Sequence, residues 1–279
     1  MSLFSSTKWQ LDVQGYLNVC NISASLPRQQ LTDFAKGIND LGLWNSMVCW
    51  PLRSTQNAAT GDIMFSLGGL GSFSGTMING PVRGADGMTF ATSSSVGRNR
   101  NISVPWSTVG GYDLRSNSTV FSVSNMNTAA AAEQYLLGSR AASNDGFGSV
   151  RLNNTTMVTG PLRVGQGPYA SFTGPSLSAD YRAWTTQREN NEVANSNAQG
   201  NKLWQDTTQI ANGSNAAQSG VEAITQPSEV LIIGNGRGNT SLAVIGNIAF
   251  TAIFSDWTVN VSAIRTLYKE TLGQGLGLP

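Results

Sequence analysis

The stretch from Ile245 to Tyr268 constrains this chain more than any other. It runs Ile-Gly-Asn-Ile-Ala-Phe-Thr-Ala-Ile-Phe to residue 254, then Ser-Asp-Trp-Thr-Val-Asn, then Val-Ser-Ala-Ile-Arg-Thr-Leu-Tyr. Ile248, Phe250, Ala252 and Phe254 alternate with Asn247, Ala249, Thr251 and Ile253, so one face is strongly apolar and the other mixed. That pattern predicts a strand packed on a sandwich core. Ser255-Asp256 breaks the run in a polar turn. Asn260 is placed to cap a short helix that carries Val261, Ile264, Leu267 and Tyr268 on one side.

The rest of the chain reads mainly as short strands. Runs at 120–125, 134–139, 149–152, 157–161, 170–172, 182–188 and 202–206 are each bounded by turn residues. Glu229-Val-Leu-Ile-Ile-Gly234 is a buried strand that would pair with Ile248–Phe254. With 31 glycines and only 12% charged residues among 279, the composition favours many strands joined by tight turns. Leu31, Phe34, Ile38 and Leu41 lie at helical spacing between Pro27 and Gly42, which predicts a helix covering one opening of the sandwich. Residues 1–26 form an opening arm in which Trp9, Leu11, Val13, Tyr16, Leu17 and Val19 partly alternate. The arm is expected as an edge strand or as a tether to a particle or neighbouring subunit. Residues 273–279, Gly-Gln-Gly-Leu-Gly-Leu-Pro, are expected to be a flexible tail.

Several ordered motifs carry a resemblance. They are Trp50-Pro-Leu-Arg53, Asn79-Gly-Pro81, Gly84-Ala-Asp-Gly-Met-Thr-Phe90, Tyr135-Leu-Leu-Gly138, Lys202-Leu-Trp-Gln-Asp206, and Gly246-Asn-Ile-Ala…Ile253-Phe254 with Leu267-Tyr268 behind it. Together they resemble LamG-type, concanavalin A-like lectin–glucanase domains over residues 43–272. The resemblance implies an all-β jelly-roll β-sandwich at 27–272, with the N-terminal arm and one or two short helices. The family's hairpin glycine after Asp206 is displaced here to Gly213, which predicts a longer hairpin. The run Trp50-Pro-Leu-Arg-Ser-Thr-Gln-Asn57, beside a polar and weakly charged composition, resembles LamG-like proteins of phage particles. It implies a virion surface protein: a capsid decoration, head fibre or tail component.

Candidate chemistry is sparse. The chain has no histidine, which removes histidine-based acid–base catalysis, Ser-His-Asp and Cys-His pairs and histidine metal sites. A glycosidase on such a scaffold needs two carboxylates close together on one concave strand. No Glu-x-Asp-x-Glu run occurs, Glu189 and Glu192 are offset by three, and Glu222 and Glu229 fall in different elements, so no catalysis is expected. The Gly68–Gly71 cluster lacks the lysine and hydroxyl of a phosphate loop and reads as a surface loop. Sugar recognition asks for aromatic platforms with planar polar groups beside them, and Tyr181, Trp184, Arg188, Asn190, Asn191 and Trp204 are the candidates. The competing reading makes Trp184 and Trp204 core residues. No cofactor is expected. Asp86, Asp145 and Asp206 lie in loops that could hold calcium, but no dense acidic cluster marks such a site. Cys20 and Cys49 are compatible with one bridge or with two buried free thiols, the commoner outcome.

A net charge of +1 gives no footprint for nucleic acid or an anionic membrane. Residues 1–9 lack the pattern of an export signal, so synthesis in a host cytoplasm is expected, with eight Asn-x-Ser/Thr sequons unused. The expected partners are other virion proteins, such as a major capsid or tail protein, further copies of this chain, and a host-surface glycan.

Overall fold

A computed structural model describes residues 7–93, 95–106, 118–126, 134–140, 145–153, 156–163, 170–173, 180–188, 201–213, 230–236 and 243–279. For 139–140, 145–153, 156–163, 170–173, 188, 201 and 211–213 it describes the backbone alone.

Two antiparallel eight-stranded sheets make up most of the regular secondary structure among the described residues. The first contains β1 (Met47–Pro51), β4 (Val82–Gly84), β5 (Gly87–Thr89), β7 (Ser118–Met126), β12 (Arg182–Arg188), β13 (Asn201–Gln205), β14 (Thr208–Gly213) and β16 (Gly246–Phe254). Its order is β14-β13-β12-β7-β16-β5-β4, with β1 paired to the same side of β16 as β5. The second contains β2 (Ile63–Met64), β3 (Gly75–Ile78), β6 (Asn101–Val104), β8 (Gln134–Arg140), β9 (Asp145–Asn153), β10 (Thr156–Arg163), β11 (Ala170–Thr173) and β15 (Val230–Ile233). Its order is β11-β10-β9-β8-β15-β6-β3-β2.

Two apolar layers explain why this arrangement holds. The inner layer lies between the sheets and joins Val48, Trp50, Met88, Val120, Trp184, Ile248 and Ile253 of the first to Met64, Ile102, Leu136, Leu231 and Ile233 of the second. The outer layer lies on the opposite face of the first sheet, against three helices: α1 (Lys8–Val19), α2 (Ser25–Asp40) and α3 (Val261–Glu270). The central strand β16 is therefore buried on both faces. A bulge between Ile248 and Phe250 shifts its register on β7. It leaves Ile248 in the inner layer and turns Phe250, Ala252 and Phe254 towards the helices, so the simple alternation expected from the sequence is broken once. The expected pairing of the 230–233 strand with β16 is also corrected. Leu231 and Ile233 meet Ile248 across the inner layer, while β15 pairs edge to edge with β6 and β8.

The opening arm is not a strand. Gln10 Oε1 accepts the Thr7 amide at 2.8 Å and starts α1. Val13, Tyr16, Leu17 and Cys20 then fall at i, i+3, i+4 and i+7 and are buried in the outer layer, while Leu11 and Val19 point outward. The helix expected over 27–42 is α2, closed by Gly42 at φ 74° with the Leu43 amide bonded to Ile38 O at 3.0 Å. The third is α3, whose cap Asn260 Oδ1 accepts the Ala263 amide at 3.0 Å.

The Trp50–Asn57 run lies inside the fold and ties distant segments together. Arg53 donates to Ala85 O (2.8 Å), Leu272 O (2.9 Å) and Gln274 O (2.8 Å). Gln56 Nε2 donates to Leu272 O at 2.8 Å, and Gln56 O accepts from Tyr16 Oη at 2.9 Å. Asn57 Nδ2 donates to Pro51 O and Phe65 O, at 3.2 and 3.0 Å. This anchoring holds the C-terminal tail, read as flexible, against the outer layer with Leu272, Leu276 and Leu278 buried. The Gly68–Gly71 segment is likewise no free loop: Leu67 bridges Cys49, and a Cβ on Gly68 (φ 140°) would collide with the Met47 carbonyl. Cys20 and Cys49 are free and buried.

Candidate functional site

Strand alternation separates the residues that the sequence grouped as a sugar site. Trp184, on β12, points into the inner layer, where it is 2% exposed and its indole N–H has no partner among the described residues. Its neighbour Thr185 pairs with Trp204 of β13, so Trp204 lies on the outer face. Trp184 is thus a core residue, because a one-residue step in a strand reverses the face. Tyr181, just before β12, is buried in the outer layer and donates from Oη to Asp86 O at 2.6 Å. Burial pushes its phenol above the ordinary value. The backbone of Arg188 pairs with Ser118 and Asn201, whereas its side chain, and Asn190 and Asn191 entirely, lie outside the described residues. So do Glu189, Glu192, Glu222 and Glu229.

Around Trp204 the structure assembles a different set. The helices roof the first sheet over β1, β7 and β16, and the described elements leave the β12–β13 side partly exposed. Trp204 Nε1 donates to Gln187 Oε1 at 3.0 Å, and Gln187 Nε2 donates to Val259 O at 2.8 Å. Gln187 is only 6% exposed, so this pair of bonds fixes the indole from beneath and ties it to the loop 255–260. That loop carries Trp257, which is partly exposed, and Lys202 Nζ lies 5.4 Å from its ring centroid. Lys202 and Trp204 are two apart on β13 and share the outer face, each opposite an outward residue of β12. The result is a face with two indoles, one ammonium group and one fixed amide. Sequence reading found Trp204 and missed Trp257, Lys202 and Gln187. A tryptophan within the otherwise polar Ser255–Asn260 turn was the available signal for Trp257.

The turn between β13 and β14 is tight. Gln205 pairs with Thr208 across a two-residue turn in which Asp206 takes the left-handed conformation at φ 55°, which corrects the expected longer hairpin. The Asp206 carboxylate accepts from the Ala183 amide and from Arg182, both at 3.1 Å, so both of its oxygens serve the strand junction. Asp86 sits in the β4–β5 turn, and the side chain of Asp145 lies outside the described residues. Among the described residues no group of three or more acidic, cysteine or histidine side chains could hold a metal ion. A shallow groove of about 540 Å³ between α2 and α3 is lined by Gly37, Leu41, Thr266, Leu267 and the carboxylates Asp40 and Glu270, the first already paired with Lys36 at 2.6 Å.

No protein-family model and no curated protein sequence matches the chain. Similarity appears among solved structures. Trypanosoma rangeli sialidase in complex with sialic acid aligns at 13% identity and TM-score 0.57, over 88% of this chain and 39% of the sialidase. The same sialidase with the inhibitor DANA gives the same identity, score and coverage. The CBM40 of Ruminococcus gnavus IT-sialidase bound to alpha2,3 sialyllactose aligns at 15% identity and TM-score 0.41, over 57% of this chain and 91% of that one. The chain spans about two-fifths of the length of the sialidase chains it matches. At this identity the likeness to the sialidase chains is one of fold alone.

Proposed function

We propose that this chain is a lectin-like recognition domain of the concanavalin A-like, LamG-type class, and that it binds a glycan without turning it over. The observation that carries the reading is the Trp204–Trp257 face. Two partly exposed indoles with polar groups fixed beside them are what stacking on pyranose rings and reading of hydroxyls require. The similar T. rangeli sialidase is in complex with sialic acid, which is consistent with a glycan ligand. The lack of a Glu-x-Asp-x-Glu run and the tying of Asp206 into an ion pair favour binding over hydrolysis. The test is a glycan array followed by calorimetry. Trp204→Ala and Trp257→Ala should each weaken binding by at least about tenfold with little change in thermal midpoint. Undiminished binding by both variants, or steady release of sugar from a fluorogenic sialoside, would overturn the reading.

The setting we propose is a virion surface, as a capsid decoration, fibre or tail component made in the host cytoplasm. The low charge and abundant glycine support it, as does the Trp50–Asn57 run. Residues 1–26 would attach the domain, or join it to further copies, through the outward side of α1, where Leu11 and Val19 are 62% and 53% exposed. Leu11→Glu with Val19→Glu should abolish incorporation into particles counted by quantitative mass spectrometry. Normal copy number in the double variant would remove this assignment.

A further inference from the structure

Lys202 sets the charge of the Trp204–Trp257 face. Its ammonium lies over the Trp257 ring at 5.4 Å, and no described carboxylate pairs with it. Lys8, Lys36 and Arg182, by contrast, each hold an acid within 2.6–3.1 Å. The acid adjacent to Trp257 is Asp256, and its Oδ1 is engaged within its own loop, accepting from Thr258 N and Thr258 Oγ1 at 2.8 Å each. Among the described residues the cation thus faces only the electron-rich ring of an indole, a weak partner at a partly exposed site.

That arrangement has different consequences for neutral and charged ligands. Trp204 is held by Gln187 and is available as found. One face of the Trp257 ring has the Lys202 ammonium 5.4 Å from its centroid. A neutral sugar stacking there must displace Lys202 and offers only dipoles in exchange. A sugar carrying a negative group draws the ammonium off the ring and frees the stacking surface in the same movement, exchanging a cation–ring contact for a charge-assisted hydrogen bond. Resting on the glycan-binding reading of this face, we infer that it selects sugars bearing a carboxylate or a sulfate ester over their neutral counterparts, with Lys202 as the specificity-determining residue.

The test measures binding of the full chain to matched oligosaccharides: oligogalacturonate against its methyl ester, and a sulfated galactan oligomer against its desulfated form. The charged member of at least one pair should bind about tenfold tighter or more in low salt, and the difference should narrow as salt screens it. Lys202→Gln should close that gap by weakening the charged member about tenfold or more. Which pair shows the gap distinguishes carboxylate from sulfate recognition. Equal binding within both pairs, or a gap that survives Lys202→Gln, overturns the inference and leaves the glycan-binding reading standing. Failure of every oligosaccharide to bind, on this panel and on the array, overturns both.

Discussion

Trp184 and Trp204 show how much one position along a strand decides. The first fills the inner layer and the second stands on the outer face, although both were candidates for the same job. Trp184→Ala should therefore cost about 3–5 kcal/mol of stability, the range for deleting a large buried aromatic, measured by urea unfolding. A near-neutral effect would mean that the inner layer closes without it. The two cysteines give a second residue-scale prediction. Burial pushes the Cys20 thiol up to about 11 and raises Cys49 further. The folded state thus holds both protons where the unfolded chain has lost them. Each thiol's contribution to stability is complete below the ordinary value of 9.0 and is lost as pH rises through the folded value. Ellman's reagent at pH 8 should leave both thiols untouched until denaturant is added, and the urea midpoint should fall between pH 9 and 11. Rapid labelling of the native protein would contradict the packing described around Tyr16 and Asn57.

At the scale of elements, β16 and α3 are legible because pattern and cap agree with the tertiary environment: a largely apolar run, then Asn260, then an apolar stripe. The arm was misread because Leu11, Val13 and Tyr16–Leu17 fit an approximate alternation as well as a helical stripe. Only the outer layer, which needs Val13, Tyr16, Leu17 and Cys20 on one side, settles the choice. Which face of the sheet is open was also invisible, since it depends on where α1 and α2 dock far from their position in sequence. The opening glycine of β16 shows the physical content of a motif. Gly246 has φ 130°, and a Cβ there would run into the carbonyl oxygen of Asn125 on β7. Gly246→Ala combines a backbone region that side chains avoid with a backbone clash in the central strand pair, so a loss of about 2–4 kcal/mol is expected in chemical denaturation. The relocated clash has no flexible side chain to absorb it, and a change within measurement error would show that β7 and β16 can separate locally.

Across the whole molecule, the first sheet is shared by two apolar layers, and that sharing joins the helices and the C-terminal tail to the Trp204–Trp257 face. The helices stabilise the sheet by covering β1, β7 and β16, and by doing so they restrict the face proposed for ligand to the β12–β13 side and the 255–260 loop. The same loop leads directly into α3, and α3 leads into a tail that Arg53 and Gln56 hold. Composition alone reads Gly-Gln-Gly-Leu-Gly-Leu-Pro as loose, because glycine and the chain end suggest it. Its packing arises from two leucines finding the outer layer and from donors supplied more than 200 residues away in the sequence, which no local pattern contains. A chain ending at Leu272 loses the burial of Leu276 and Leu278 and leaves one guanidinium donor of Arg53 without its Gln274 carbonyl. Burying a leucine is worth roughly 1.5–3 kcal/mol, so the truncated chain should be about 3 kcal/mol less stable, a clear fall in thermal midpoint. Calorimetry of the two forms decides the matter: equal midpoints would return residues 273–279 to the status of a dispensable tail, while a fall makes them part of the domain that presents Trp204 and Trp257.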